Sequence, residues 1–176
     1  MPRFLVDIML GKLSKWLRLL GCDVEYKEVK DLLVLEEYLN RGYIFLTRRQ
    51  AWLNYKVLRN KPVYFITANE PFIQLCEVIK KLDLKFDPRS FCSRCLKCNA
   101  LLEEKRREEI ANLVPEYVLH TYQTFKQCPQ CKRVYWPGSH KEKMLARLKA
   151  CFTAARNSST SCVGDCAQGQ LPVPSD

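Results

Sequence analysis

Short apolar runs alternate with amphipathic stretches from Phe4 to Leu82, and the alternation predicts strands separated by helices. Phe4-Leu5-Val6-Asp7-Ile8 reads as a short buried strand. The helix predicted after it places Leu10, Leu13, Trp16, Leu17 and Leu20 on one face and Lys12, Lys15 and Arg18 on another. Gly21 stands where a left-handed residue closes such a helix. Asp23-Val24-Glu25-Tyr26 is a second strand with the polarity of an edge, and a helix entered at Asp31 runs through Leu35 and Leu39 to Gly42. Tyr43-Ile44-Phe45-Leu46-Thr47 is the clearest strand, a weaker helix covers Ala51 to Leu58, and Val63-Tyr64-Phe65-Ile66-Thr67 is a fourth strand. Asn69 then caps a helix with Pro71 in its first turn and Phe72, Leu75, Cys76, Ile79 and Leu82 facing inward.

Strands alternating with helices predict an α/β fold: a parallel sheet flanked by helices, which binds ligands beyond the carboxyl ends of its strands. Here those ends carry Asp7, Thr47-Arg48-Arg49 and Thr67 through Glu70, with Asp31 on the same rim. From Phe91 onward the pattern changes to cysteines, charges and short apolar pieces. That second module ends in a helix from about His140 to Ala150, opened by the capping-box spacing of Ser139 and Glu142. After Cys151 the composition is too polar to bury a core and predicts a disordered tail. The expected division is an α/β domain over residues 1–91, a small cysteine module with its helix over 92–150, and a tail over 151–176.

Charge and cysteine content sharpen this outline. The formal net charge is +10, and both expected modules are basic while the tail is not. That balance favours a polyanionic partner through phosphate neutralisation and counterion release, against the plainer reading of a generic basic surface. Ten cysteines would mark a disulfide framework in a short secreted chain. Here Asp7 cuts the opening apolar run short, no small-residue cleavage site follows, and no apolar run approaches the roughly 20 residues that span a bilayer. The expectation is an intracellular protein, cytoplasmic or nuclear, without a membrane partner, whose paired cysteines hold metal rather than form disulfides.

Cys95-x-x-Cys98 and Cys128-x-x-Cys131 have the spacing of two tight turns, each filling two corners of a tetrahedron, and together they predict one structural Zn²⁺ in a Cys₄ zinc ribbon. The insert between the pairs is long for a ribbon and predicts a helical excursion through Glu103 to Leu113. Cys92 offers an overlapping spacing with Cys95, but Asn99 follows Cys98 as a knuckle residue and favours the later pair. Four thiolates leave no need for His120 or His140. Cys22 and Cys76 fall on apolar faces and read as core, and Cys151, Cys162 and Cys166 have no matching pair.

The run from Phe4 to Gly21 resembles the opening of the mut-seven C-terminal ribonuclease-like domain family. So do Leu46-Thr47-Arg48, Arg94-Cys95-Leu96-Lys97-Cys98-Asn99, and Val134-Tyr135-Trp136-Pro137-Gly138-Ser139-His140. The resemblance implies a PIN-like nuclease fold followed by a zinc ribbon, with carboxylates at the strand ends that hold Mg²⁺ or Mn²⁺ for phosphodiester cleavage. Asp7 matches the first acid of that cluster and Asp31 a second. Where the family carries Thr-Arg-Asp, this chain has Thr47-Arg48-Arg49, a cation in place of a ligand. Glu70 is a candidate substitute acid.

By position alone Asp7 and Asp31 are also helix N-caps. Lys12, Lys15 and Arg18 read either as a solvated helix face or, with Arg48 and Arg49 on the same rim, as phosphate contacts along a bound strand. The implied partner is single-stranded RNA. As an enzyme, the chain would be a divalent-metal-dependent ribonuclease; as a binding module, it would keep the fold and the basic rim without the metal site. A third reading is a protein-interaction adaptor that docks through its ribbon.

Overall fold

The computed structural model describes residues 2–138 and 140–157. Strands β1 (Arg3–Val6), β2 (Asp23–Tyr26), β3 (Tyr43–Thr47) and β4 (Val63–Phe65) pair in parallel in the order β2-β1-β3-β4. β1 takes an inner place because Phe4, Leu5 and Val6 are all fully buried, as a strand covered on both faces requires. Its side chains alternate between two cores. Phe4 and Val6 meet Leu13 and Leu17 of α1 (Gly11–Leu19), Leu75 and Ile79 of α3 (Pro71–Lys81), and Leu148 of α6 (His140–Asn157). Leu5 meets Leu35 and Leu39 of α2 (Leu32–Asn40), with Trp52 and Leu58 behind β3.

Three local readings change. The weak helix expected over Ala51 to Leu58 is two 3₁₀ turns, Gln50–Asn54 and Lys56–Leu58, because only Trp52 and Leu58 in that stretch reach the core. Glu70, not Asn69, caps α3: its carboxylate accepts from the Ile73 amide at 2.8 Å, while Asn69 accepts from Arg48. The excursion between the cysteine pairs opens with a strand, β5 (Glu103–Lys105), which pairs antiparallel with β6 (Phe125–Gln127), itself paired to β7 (Val134–Tyr135). Short helices α4 (Arg107–Ile110) and α5 (Glu116–Thr121) follow β5 and enclose Ile110, Val118 and Phe125.

The largest departure is α6. It leaves the ribbon and packs against α3, so Leu148 and Cys151 complete the core of the α/β layer and Phe152 lies 5.7 Å from Phe86. Residues Cys151–Asn157, read from the sequence as tail, belong to this helix; Ser139 and residues 158–176 lie outside the described residues. A disulfide joins Cys76 to Cys151 across the α3–α6 contact, where facing helices bring the Cα atoms to 5.7 Å. That corrects the expectation that no disulfide forms and that Cys76 is a plain core thiol.

The two modules meet along β2. Gly21 has φ of +87°, and a Cβ there would sit 2.3 Å from the Ser90 carbonyl oxygen, so only glycine lets the linker pass. Asn99, itself left-handed at φ +70°, accepts from the Val24 amide at 3.1 Å and donates to Asp23 Oδ1 at 2.7 Å. Arg18 donates to the Val24 carbonyl through Nη2 at 2.9 Å and to the Leu96 and Lys97 carbonyls through Nη1 at 3.0 and 2.8 Å. Both main-chain groups of Val24 are thus taken by side chains where another strand would otherwise pair.

Candidate functional site

Between β1 and β3 the strand order reverses, and this switch point is where a parallel sheet opens a crevice at its carboxyl end. Asp7 ends β1 there and Thr47 ends β3, with the Asp7 amide donating to the Leu46 carbonyl at 3.0 Å. Asp7 is fully buried. Its Oδ1 accepts from the Ile8 amide at 2.8 Å and from Arg49 Nη2 at 2.7 Å. Its Oδ2 accepts from the Thr47 hydroxyl at 2.8 Å and from Arg49 Nε at 2.7 Å. A carboxylate has about four lone-pair sites. All four are used.

Arg49 is fixed as firmly as the acid it pairs. Nη2 also donates to the Val29 carbonyl at 2.7 Å, its own amide donates to Thr47 Oγ1 at 3.0 Å, and the guanidinium lies 6.0 Å from the Trp52 ring centroid. The hydrogen bond to Asp7 raises the Arg49 pKa above its usual value, against the lowering effect of burial. The pairing is bidentate, the strongest geometry open to an arginine and a carboxylate.

The other acids do not join this pair. Asp31 caps α2, with Oδ1 accepting from the Leu33 amide at 2.8 Å, and Glu70 caps α3. Among the described residues, the only group of three or more His, Cys, Asp and Glu side chains whose ligand atoms converge is Cys95, Cys98, Cys128 and Cys131. A divalent ion held by carboxylates at the strand ends therefore does not fit the residues present. Asp7 has no lone pair to offer, and no carboxylate cluster surrounds it.

The four cysteines do fit a metal such as zinc. Their sulfur atoms all lie within 4.8 Å of one another, with Cys95–Cys131 at 3.5 Å and Cys98–Cys128 at 3.3 Å. Zn–S bonds of about 2.3 Å place tetrahedral sulfurs about 3.8 Å apart. The two turns repeat one design. Asn99 and Lys132, each the fourth residue after the first cysteine of its pair, adopt positive φ and donate back to the Cys95 and Cys128 carbonyls at 3.0 Å. Burial pushes the Cys95 thiol up, but hydrogen bonds from the Tyr135 hydroxyl and the Cys98 and Lys97 amides more than offset it and bring it down to about 6. Burial and the neighbouring Cys128 push Cys98 up to about 12, and a bound cation favours the thiolate form of the cysteines that ligate it. Cys92 lies outside the cluster.

A family model for the Mut7-C RNAse domain matches residues 2–148. The chain belongs to that family. No curated protein matches it, and no solved structure does. Membership associates this Mut7-C chain with nuclease-like, nucleic-acid-related function. No helix among the described residues is long and apolar enough to cross a membrane.

The Mut7-C fold also brings the basic residues together. A groove of about 860 Å³ runs between α1 and the two cysteine turns, and Lys12, Lys15, Arg18 and Arg48 all border it. Arg49 is not among its lining residues. Arg18 differs from its neighbours: it is buried, and its donors are used on the Val24, Leu96 and Lys97 carbonyls, so it anchors the ribbon instead of extending an exposed stripe. Burial lowers its pKa, with Glu25 the first of the charges that oppose the shift. Trp16 packs edge-on against Phe72 at 5.4 Å, as its place among the leucines predicts. Sequence reasoning missed Lys97 and Arg133, which bring the ribbon's charge to the same groove. The available signal was local: Lys97 sits inside the first C-x-x-C turn and Arg133 just after the second.

Proposed function

We propose that this Mut7-C protein binds single-stranded RNA and does not cut it in its resting state, with Arg49 acting as a built-in counter-ion at the position of the first catalytic acid. The saturation of Asp7 carries this reading. A metal ligand needs a free lone pair, and each Asp7 oxygen already accepts two hydrogen bonds. The excess of basic charge supports a polyanionic partner, and the family supplies the nucleic-acid context. The four-cysteine site holds structural zinc in this reading. Its role is to set the shape of the ribbon and of the seam with β2, not to activate water, because four protein thiolates leave no open coordination position.

The test combines filter binding of a labelled oligouridine at several salt concentrations with Mn²⁺-dependent cleavage by the natural chain and three variants. The natural chain should bind with a steep salt dependence and leave the RNA intact. Arg49→Asp should gain Mn²⁺-dependent cleavage, and Arg49→Asp combined with Asp7→Ala should lose it again. Cleavage by the natural chain that disappears in Asp7→Ala alone would overturn the proposal and make this an ordinary metal-dependent nuclease.

A further inference from the structure

The groove between α1 and the cysteine turns has a charge pattern that the whole chain does not. Its lining includes six basic side chains, Lys12, Lys15, Arg18, Arg48, Lys97 and Arg133, and no acidic one. The basic residues come from both modules. Lys12 and Lys15 lie on the first turns of α1, Arg48 follows β3 and is held by Asn69 Oδ1 at 2.6 Å, and exposed Lys97 and Arg133 project from the two metal-binding turns. Apolar and aromatic surface is interleaved with this charge. Met9 is 57% exposed, and Tyr26, 41% exposed, is steadied by its hydroxyl donating to the Ile8 carbonyl at 2.9 Å. Cations along a backbone path with aromatic faces between them match what a single-stranded nucleic acid offers: phosphates in a row and bases free to stack.

We propose that single-stranded RNA lies in this groove, with its phosphates on Lys12, Lys15 and Arg48 along one wall and on Lys97 and Arg133 along the other, and a base against Tyr26. This deepens the RNA-binding reading and rests on it. The site is composite, since neither module alone supplies both walls. Buried Arg18 holds the walls at a fixed distance, because its Nη1 grips the Leu96 and Lys97 carbonyls within the first metal-binding turn while Nη2 grips β2. It is a positioning residue, and Lys97 is placed by the carbonyl that Arg18 binds.

Two double variants with the same change of net charge test the groove in the full chain. Lys97→Glu with Arg133→Glu reverses the ribbon wall, and Lys61→Glu with Lys80→Glu reverses two exposed lysines that do not line the groove. Affinity for a fluorescent oligouridine is measured against salt concentration, with metal content and circular dichroism recorded to show that each variant is folded. The groove pair should weaken binding at least tenfold and flatten the log–log salt slope by about 1.4, at about 0.7 for each lost single-strand phosphate contact. The control pair should leave the slope unchanged. Equal weakening by both pairs, or tighter binding of duplex RNA than of the single strand, would overturn the groove while leaving RNA binding intact. Absence of salt-dependent binding by the natural chain would overturn the groove and the RNA-binding reading together.

Discussion

Arg49 shows what a single side chain can do to a site whose backbone is intact. Asp7 follows β1, Thr47 ends β3, and the switch point opens between them, yet the carboxylate is bound by Arg49, 42 positions further along the chain. Arg49→Ala leaves a fully buried Asp7 with only Thr47 and the Ile8 amide, and removing one partner of a buried pair costs about 3 kcal/mol or more. A corresponding fall in urea midpoint at unchanged slope would measure it. Arg49→Asp should be as destabilised in chelator but recover melting temperature on addition of Mn²⁺, which the natural chain should not do. No recovery would mean that Asp7 cannot reach an ion even when freed. Asp7 follows β1, Arg49 follows β3 and Asp31 caps α2, positions legible in the sequence because strand and helix ends show in the hydrophobic pattern. The sequence could not show that Arg49 would pair with Asp7, since a bidentate contact is decided by geometry between β1 and β3, not by order along the chain. The buried, anchoring role of Arg18 was hidden for a simpler reason. Basic residues spaced three apart drift about 60° around a helix at each step, so a stripe that starts exposed at Lys12 has turned inward by Arg18.

The elements depend on ties that periodicity does not reveal. Glu77 on α3 accepts from the Thr67 and Ala68 amides at 3.1 Å and from Lys81 at 2.7 Å, and so fastens α3 to the end of β4. Burial by itself would raise the Glu77 pKa, but Lys81 and the two amides more than compensate and hold it below the ordinary glutamate value. A carboxylate whose pKa falls on folding contributes stability that is present above its unfolded pKa and lost as pH drops through the folded one. Glu77→Gln should therefore cost about 1.5–3 kcal/mol at pH 7, and its melting temperature should converge on that of the natural chain as pH falls below the ordinary glutamate range. A gap that stays constant with pH would show that Glu77 acts through shape alone. The α3–α6 contact is tied covalently as well. A cross-link spanning 75 residues is worth about 4 kcal/mol in a chain-entropy account. Under non-reducing conditions peptide mapping should recover Cys76 linked to Cys151, and a phosphine reductant should lower the melting temperature of the natural chain but not of Cys76→Ser. The pairing was hidden in the sequence because Cys151 lies just past the point where polar composition begins, while its partner is decided by which helix α6 packs against.

At the scale of the molecule the cysteine turns and the sheet form one mechanical unit. Losing the metal should release more than the ribbon, since Asn99 and the Leu96 and Lys97 carbonyls belong to the first turn and hold Val24 and Arg18. Structural zinc contributes ~10–16 kcal/mol in small modules. Cys128→Ser with Cys131→Ser should lose the bound metal and raise hydrogen exchange at the Val24 amide, whose acceptor is Asn99, while the Leu46 carbonyl keeps the Asp7 amide protected. Unchanged exchange at Val24 in the metal-free variant would show that the seam stands without the ribbon's turns. The four ligands were legible because spacing alone encodes a metal turn; the seam was not, since it joins residues more than seventy positions apart.

The hold on Val24 has one more consequence, for how the two halves of the chain can exist apart. A β-strand whose outward amide and carbonyl are bare is a template, and a second chain can satisfy it as well as a ribbon can. Stripped of its metal, the chain would offer that template to its own copies. Its first failure would then be edge-to-edge self-assembly into β-linked oligomers, visible as light scattering well before the helices melt.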